Sequence, residues 1–479
     1  METTTTDIAV IGGGPGGYAA AFRAADAGKR VILIDREERL GGVCLNRGCI
    51  PSKALIHATK LIKEAAAGAV RGIHFDPPRV DLDELRAWKT SISEKLGNGV
   101  RAIAKARGVD LVRGRASFET SNAVRIDRGS GPTWVECEHA ILATGSRPAI
   151  PAALGVDDPR VMTSAQALEA PDVPADLLVI GGGYIGMELG TVYAALGSRV
   201  VVVEALASIL PAADADLRRY VERVARKSFA DVRVGARVEA LDVSGDRVDA
   251  TIQVGDGDPV TEPYDRVLVA VGRTPNTGSL GLDHTSVELD DDGFVSVDTQ
   301  QKTSDPAVYA IGDCAGGVLL AHKATADATR AVRAICDEPA SSDDALIPAV
   351  VFTDPEMAWV GLSEGDAEAS GTAVATAKFL WGASGRALTG DRPDGVTKLV
   401  VDPATERILG VGMAGVGAGE LIGEACVALR AGMTASQLSE VVHPHPTLSE
   451  TLMESAEAYL GRSIHAMPRT RATRRGEKS

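Results

Sequence analysis

One stretch of this chain is written twice. Residues 7–35 read DIAVIGGGPGGYAAAFRAADAGKRVILID, and residues 177–204 read LLVIGGGYIGMELGTVYAALGSRVVVVE. In each, a β-branched run ends in spaced glycines: Gly12, Gly14 and Gly17 in the first, Gly181, Gly183 and Gly186 in the second. A helix rich in small residues follows, then an apolar strand that closes on a carboxylate, Asp35 or Glu204. Each member of the second set lies 169 positions after its counterpart. A single G-x-G-x-x-G run is weak grounds for any assignment. Two copies, each between a strand and a helix and each closed by a carboxylate 23 residues on, restrict the chain to an α/β fold with two dinucleotide-binding domains.

The residue types explain the restriction. The glycines allow a tight turn, close approach of backbone to a pyrophosphate, and close helix–strand packing, while the helix N-terminus receives the negative charge. Asp35 and Glu204 stand where a carboxylate accepts hydrogen bonds from a ribose diol. Two such sites in one chain imply two redox cofactors in relay. Glu204 is followed by Ala205 and Leu206, with no arginine for a 2′-phosphate, so the second site should take NAD rather than NADP. A further echo links ILATGSRP, ending at Pro148, with VLVAVGRTPN at 267–276. The strand Val308–Ile311 ends in Gly312-Asp313, where Asp313 is either a helix N-cap or a cofactor contact.

At 479 residues the chain has room for about three domains. The expected divisions are 1–149 for the first nucleotide domain, 150–275 for the second, 276–345 for a segment returning to the first, and 346–479 for a C-terminal α+β domain. The run DEPASSDDA at 337–345 reads as an exposed boundary. A net charge of −15 argues against nucleic acid and anionic membrane as general partners. METTTTD lacks a basic region followed by an apolar run, and no segment nears the ~18 apolar residues of a membrane helix, so a cytoplasmic protein is expected. The acidic, Lys-poor composition suits a salt-rich host, but a GC-rich genome gives much the same composition, and the salt optimum stays open.

Chemistry concentrates at GGVCLNRGCIPSK, residues 41–53. On a regular helix, Cys44 and Cys49 would be about 7.5 Å apart along the axis and turned by about 140°. A disulfide wants Cα atoms roughly 4.4–6.8 Å apart. A distorted loop or helix start is therefore expected between them, with Asn46 and Gly48 tolerating the unusual backbone and Pro51 opening a helix through Leu55, Ile56, Thr59 and Ile62. So short a loop gains little stability from a bridge, whereas a strained, reachable bridge beside a helix start is the labile kind. Unpaired core cysteines or half of a metal site remain the alternatives at this point. Cys137, Cys314, Cys336 and Cys426 are scattered and are expected to be buried thiols. No metal site is expected.

GGVCLNRGCIPSK resembles the redox-disulfide signature of the flavin disulfide reductases, the FAD-dependent pyridine nucleotide-disulfide oxidoreductase family. Within it, GGGYIGMELG with Glu204, LAHKA at 320–324 and HPHPTLSE at 443–450 resemble the dihydrolipoyl dehydrogenases over nearly the whole chain. The resemblance implies non-covalent FAD at the first site, with contacts from Gly12, Gly14, Gly17, Asp35, Gly42, Val43, Lys53, Ala116, Gly145, Asp313 and Ala321. It implies NAD at the second, with Gly181, Gly183, Tyr184, Ile185, Gly186, Glu188, Glu204, Val238, Gly272 and Arg273. It also makes the C-terminal domain the interface of a homodimer. Two departures stand out: Asp35 where the family usually has Glu, and Thr325 where an acid is common.

In HPHPTLSE, Pro444 and Pro446 fix the backbone around His445. His445 with Glu450 is a base-plus-orienter arrangement, and the resemblance supports it as the catalytic dyad, with His443 structural. The implied activity is oxidation of a protein-tethered dihydrolipoyl group by NAD⁺, with Cys44 attacked by substrate and Cys49 facing the flavin. The implied partner is a lipoylated carrier domain of a 2-oxoacid dehydrogenase complex or of the glycine cleavage system, and the sequence does not say which. Three rival readings are a reductase of another small disulfide, an NADH oxidase or diaphorase, and a non-catalytic subunit of a large complex. The basic tail RTRATRRGEKS is read as a solvated end, with a docking arm as the lesser alternative.

Overall fold

The structure is a computed structural model that describes residues 3–129, 131–339 and 346–467. The basic tail, and residues 340–345 of the expected boundary, lie outside the described residues. The chain forms two compact units, one from Met1–Val173 with Leu268–Ala345 and one from Pro174–Val267 with Leu346–Ser479.

The first unit begins with the expected β–α–β repeat: β1 (Thr3–Ile11), α1 (Pro15–Asp26) and β2 (Val31–Asp35). β1 pairs in parallel with β2, Ile8 opposite Val31 and Ile11 opposite Ile34. Val, Ile, Leu and Ala fill both faces of this sheet, and Ile8, Ala9 and Val10 are wholly buried, as a helix-covered parallel strand requires. Two helices carrying the cysteines follow, α2 (Gly42–Arg47) and α3 (Cys49–Ala67), then the long α4 (Leu82–Ala106). Asp81 caps α4 by accepting from the amides of Asp83 and Glu84. Short strands β3 (Asp110–Arg113), β4 (Arg115–Thr120) and β5 (Ala123–Arg128) lead to β6 (Gly131–Leu142), and the sheet runs β3-β2-β1-β6-β5-β4.

The strand Val308–Ala310 returns to pair in parallel with β6, Val308 opposite Ala140. The two echoing segments turn out to be partners. β7 (Ser146–Pro148) and the strand Arg273–Pro275 form a two-stranded antiparallel ribbon, Arg273 opposite Pro148 and Pro275 opposite Ser146.

The second unit repeats the β–α–β design with Asp176–Ile180, Tyr184–Leu196 and Arg199–Glu204, the two strands parallel with Val200 opposite Leu177. A three-stranded antiparallel sheet, Ala236–Asp242, Val248–Val254 and Val260–Tyr264, adjoins it in sequence. The C-terminal part is a five-stranded antiparallel sheet of 349–351, 356–361, 408–415, 396–401 and 375–380, in that order. Its core of Leu399, Val411, Met413, Ile422 and Leu452 joins the sheet to the helices Ala418–Arg430 and Glu450–Leu460. No helix among the described residues is long and apolar enough to cross a membrane.

Candidate active site

The two glycine turns are built alike, atom for atom. Asp35 Oδ2 accepts the Gly13 amide at 2.6 Å and its Oδ1 accepts the Glu37 amide at 2.8 Å. In the second copy Glu204 Oε2 accepts from Gly182 at 2.6 Å and Oε1 accepts from Leu206 at 2.7 Å. Each carboxylate thus locks its own turn before any ribose arrives, and each oxygen keeps a second lone pair for a ligand. Burial, the strongest influence, pushes the Asp35 carboxyl above its ordinary value against the pull of these amides.

The fingerprint spacing passes over Gly13 and Gly182, although the run GGG carries them. A Cβ on Gly13 would lie 2.7 Å from Asp35 Oδ2, and one on Gly182 would lie 3.2 Å from Glu204 Oε2.

The other glycines divide by role. A Cβ on Gly17 would sit 1.7 Å from the Gly12 carbonyl oxygen, and one on Gly186 would sit 2.0 Å from that of Gly181. These close the helix onto the strand. A Cβ on Gly14 meets nothing nearer than 3.8 Å, and one on Gly183 nothing within 4 Å. Both are helix N-caps without a side chain, so the first-turn amides face open space suited to an anion.

A cavity of about 500 Å³ opens from the first turn, within the range of cofactor sites. Gly12, Asp35, Gly42, Val43, Ala116, Ser146 and Arg273 are among its lining. Its chemistry fits a flavin dinucleotide: an open helix start, a carboxylate with free lone pairs, and apolar walls. Gly145 joins Thr144 and Ser146 of that lining, at φ +68°. Lys53, whose Nζ donates to Ser52 Oγ at 3.3 Å, and Ala321, which opens the helix Ala321–Ile335, are outside the lining.

Cys44 follows directly on Gly42 and Val43. It lies in α2, and α3 starts at Cys49, with Gly48 (φ −148°, ψ −116°) as the break between them. A Cβ on Gly48 would lie 3.0 Å from the Val43 carbonyl oxygen. Gly48 therefore makes the distortion the spacing called for. Asn46 does not: it is helical, and its Nδ2 donates to the carbonyls of Gly42 at 3.0 Å and Leu40 at 3.3 Å, anchoring α2.

Both cysteines are unbridged in this structure. A hydrogen bond shared with Cys49 raises the Cys44 thiol far above its ordinary range, with burial adding to it. Cys49 is exposed at the first position of a 19-residue helix, where the dipole favours a thiolate. Cys137 and Cys314 are buried as expected, whereas Cys336 and Cys426 are only partly so.

Asp313 is no helix cap. It lies in the turn Gly312–Ala315, and its Oδ2 accepts Ser146 Oγ at 2.5 Å. The acid that sequence missed near LAHKA is Asp327. It is wholly buried, accepts the Gly312 amide at 3.0 Å and pairs with Lys323 at 2.8 Å. Thr325 merely donates to the Ala321 carbonyl. Helical spacing from Lys323 to Asp327 was the available signal.

In the second unit, Tyr184 and Ile185 open the helix that carries Glu188, which is buried and accepts the Phe352 amide at 3.0 Å. Val238 lies on the strand Ala236–Asp242 next to a register shift. Gly272 (φ +141°) and Arg273 belong instead to the first unit.

His445 Nδ1 donates to Glu450 Oε1 at 2.8 Å, and the ring is 69% exposed. Glu450 Oε2 accepts the Thr447 amide at 2.8 Å. Burial alone would raise the Glu450 carboxyl, yet the Thr447 amide and the His445 ring hold it below the usual carboxylate range. With Nδ1 committed, Nε2 is the nitrogen that can take a proton. A buried relay fixes the helix bearing Glu450: Trp381 Nε1 donates to Thr397 Oγ1, which donates to Thr451 Oγ1, which donates to the Leu448 carbonyl. His443 is held by Glu424 at 2.7 Å and the Val441 carbonyl, and its side chain is 4% exposed.

Comparison with known proteins identifies the family. Residues 6–328 match the model of the pyridine nucleotide-disulphide oxidoreductase family, and residues 347–456 match that family's dimerisation domain. The dihydrolipoyl dehydrogenase of Haemophilus influenzae is 42% identical over 98% of this chain and 97% of its own length. That of Haloferax volcanii is 42% identical over 97% and 98%. Among solved structures, LpdA of Mycobacterium tuberculosis superposes with a TM-score of 0.88 at 27% identity, covering 95% of this chain and 99% of its own. With twin nucleotide turns, a cysteine pair at a helix start and a match across both family models, the chain belongs to the pyridine nucleotide-disulphide oxidoreductase family.

Proposed function

We infer that the protein oxidises protein-bound dihydrolipoyl groups with NAD⁺ as acceptor, through FAD and the Cys44–Cys49 pair. The observation that carries this is the cysteine pair itself: two sulfurs within hydrogen-bonding reach at a helix start, directly beyond the Gly42–Val43 edge of a nucleotide-sized cavity. The names of the full-length relatives supply the substrate.

In the oxidising half-reaction, His445 Nε2 takes a proton from one substrate thiol while Glu450 keeps the opposite nitrogen donating. The thiolate attacks Cys44 of the disulfide form, and Cys49 leaves as a thiolate stabilised by the start of α3. The second substrate thiol then displaces Cys44, its proton passing to the Cys44 sulfur, which leaves a lipoyl disulfide, a Cys44 thiol and a Cys49 thiolate. FAD would be held by the Gly12–Gly17 turn, Asp35 and the cavity lining and would supply the redox chemistry between the dithiol and NAD⁺, for which the Glu204 turn offers a ribose acceptor. Glu204 adds negative charge where NADP would bring a phosphate, which favours NAD.

The working unit in this reading is a homodimer in which His445 of one copy serves the cysteines of another. The dimerisation-domain match at 347–456 supports it. The domain divisions near 149, 275 and 345 belong to the same proposal, as does a lipoylated carrier domain as partner. A reversible dithiol with one sulfur exposed, that of Cys49, suits the reducing cytoplasm.

The test is the purified protein's absorption spectrum before and after dihydrolipoamide, with NAD⁺ reduction followed alongside reduced glutathione as rival donor. A yellow protein that develops a long-wavelength thiolate–flavin band and turns over dihydrolipoamide supports the reading. A colourless protein, or preference for glutathione, removes it.

A further inference from the structure

The family resemblance places Arg273 with NAD, but its surroundings say otherwise. Arg273 sits on the strand that pairs with β7, and it lines the same cavity as Gly12 and Asp35. Two of its donors are committed to one residue: Nε donates to Ser146 Oγ at 2.6 Å and Nη2 to the Ser146 carbonyl at 2.8 Å. Ser146, 2% exposed, donates in turn from its hydroxyl to Asp313 Oδ2 at 2.5 Å. The guanidinium stands 3.7 Å from the same carboxylate oxygen, with only 10% of its side chain exposed. A charge-assisted chain through a hydroxyl, shielded from water, is stronger and more directional than a lone contact.

The opposite side of the turn is fixed independently. Buried Asp327 holds the Gly312 amide, and Lys323 Nζ, paired with Asp327, donates to the carbonyls of Gly312 at 3.2 Å and Gly316 at 2.8 Å. Gly312 takes a positive φ of 70°. With the backbone pinned from that side, what remains to be set is the direction of the Asp313 carboxylate, and the chain from Arg273 through Ser146 sets it. The arrangement is one clamp with two cations and two carboxylates closed on a four-residue turn.

We propose that Arg273 is a positioning residue of the flavin site, acting through Ser146 on Asp313, and is not a nicotinamide contact. The proposal rests on the flavin reading of the first cavity. Removing Arg273 leaves the Ser146 hydroxyl without the donor that orients it and the Asp313 carboxylate without its counter-charge, so the cost falls on flavin affinity while the Glu204 turn is untouched.

The experiment strips flavin from the full-length protein and from Arg273→Lys, Arg273→Met and Ser146→Ala, then titrates FAD back by fluorescence quenching. NAD⁺ affinity is measured on each flavin-loaded form. Arg273→Met and Ser146→Ala should each weaken FAD binding at least tenfold. The double variant should add little, because both break one chain, and Arg273→Lys should fall between. NAD⁺ affinity should stay within about twofold throughout. Unchanged FAD affinity, or a tenfold loss confined to NAD⁺, overturns the proposal. Should Arg273→Met fail to fold, Ser146→Ala carries the same expectation, and unaltered FAD affinity there is sufficient to sink it. A wild-type protein that takes up no FAD at all fails earlier, and takes the flavin reading with it.

Discussion

At the scale of single residues, the chemistry rests on which atoms are already committed. His445 has Nδ1 fixed by Glu450, so His445→Gln should slow the dithiol half-reaction roughly 10²–10⁴-fold in stopped flow while FAD stays bound. An unchanged rate would strip His445 of the role. The Glu450 carboxyl is depressed, so the dyad holds above the ordinary value of 4.5 and is lost as pH falls through the lower, folded-state value. Asp35 behaves in the opposite sense. Its folded pKa is raised by burial, and a ribose needs the anion, so FAD affinity is complete above that raised value and declines as pH descends through it. Flavin release followed by fluorescence should therefore begin above the ordinary aspartate value of 3.8, and Asp35→Asn should flatten that dependence. Sequence spacing exposed His445, Glu450, Cys44 and Cys49 because each lies within a few positions of its partner. It misjudged Asn46, since a residue that tolerates odd backbone angles also caps carbonyls well when helical.

At the scale of elements, the glycine turns separate two jobs that the fingerprint merges. Gly17→Ala and Gly186→Ala drive a Cβ into backbone oxygen at 1.7 and 2.0 Å, so each should cost about 3 kcal/mol or more, read by chemical denaturation. Gly14→Ala and Gly183→Ala meet open space, so the fold should persist while FAD affinity falls for the first and NAD⁺ affinity for the second. Equal destabilisation by all four would refute this division. The two β–α–β units were plain in the sequence because their signal is local and periodic. The second duty of Asp35 and Glu204, clamping the amides of Gly13 and Gly182, was hidden because fingerprints record what a ligand meets and not what holds the turn in its absence.

At the scale of the whole molecule, the contacts that sequence could not show are those between distant charges. Lys398, 1% exposed, reaches Asp214 at 2.7 Å, Asp216 at 3.0 Å and Glu364, while Lys378 pairs with Asp216 at 2.6 Å. Asp214 and Lys398 are 184 positions apart, so no periodicity links them. Lys398→Met takes the shared cation from three carboxylates, leaving Asp216 with Lys378 alone, and should cost about 3–5 kcal/mol by thermal or urea unfolding. A loss below 1 kcal/mol would mean that solvent already screens the group. A homodimer with shared sites also predicts that specific dihydrolipoamide activity falls on dilution in step with dissociation by ultracentrifugation, and full activity from a single copy would contradict it. One last consequence belongs to the ribbon of β7 and Arg273–Pro275. Because Pro148 and Arg273 are direct partners, the segment Pro174–Val267 is flanked in sequence by the two strands of one ribbon, which form a single doorway in the first unit. The intervening stretch is topologically a cassette, and a short bridge across that doorway is where one would cut to exchange the hydride acceptor without redrawing the sheet beneath.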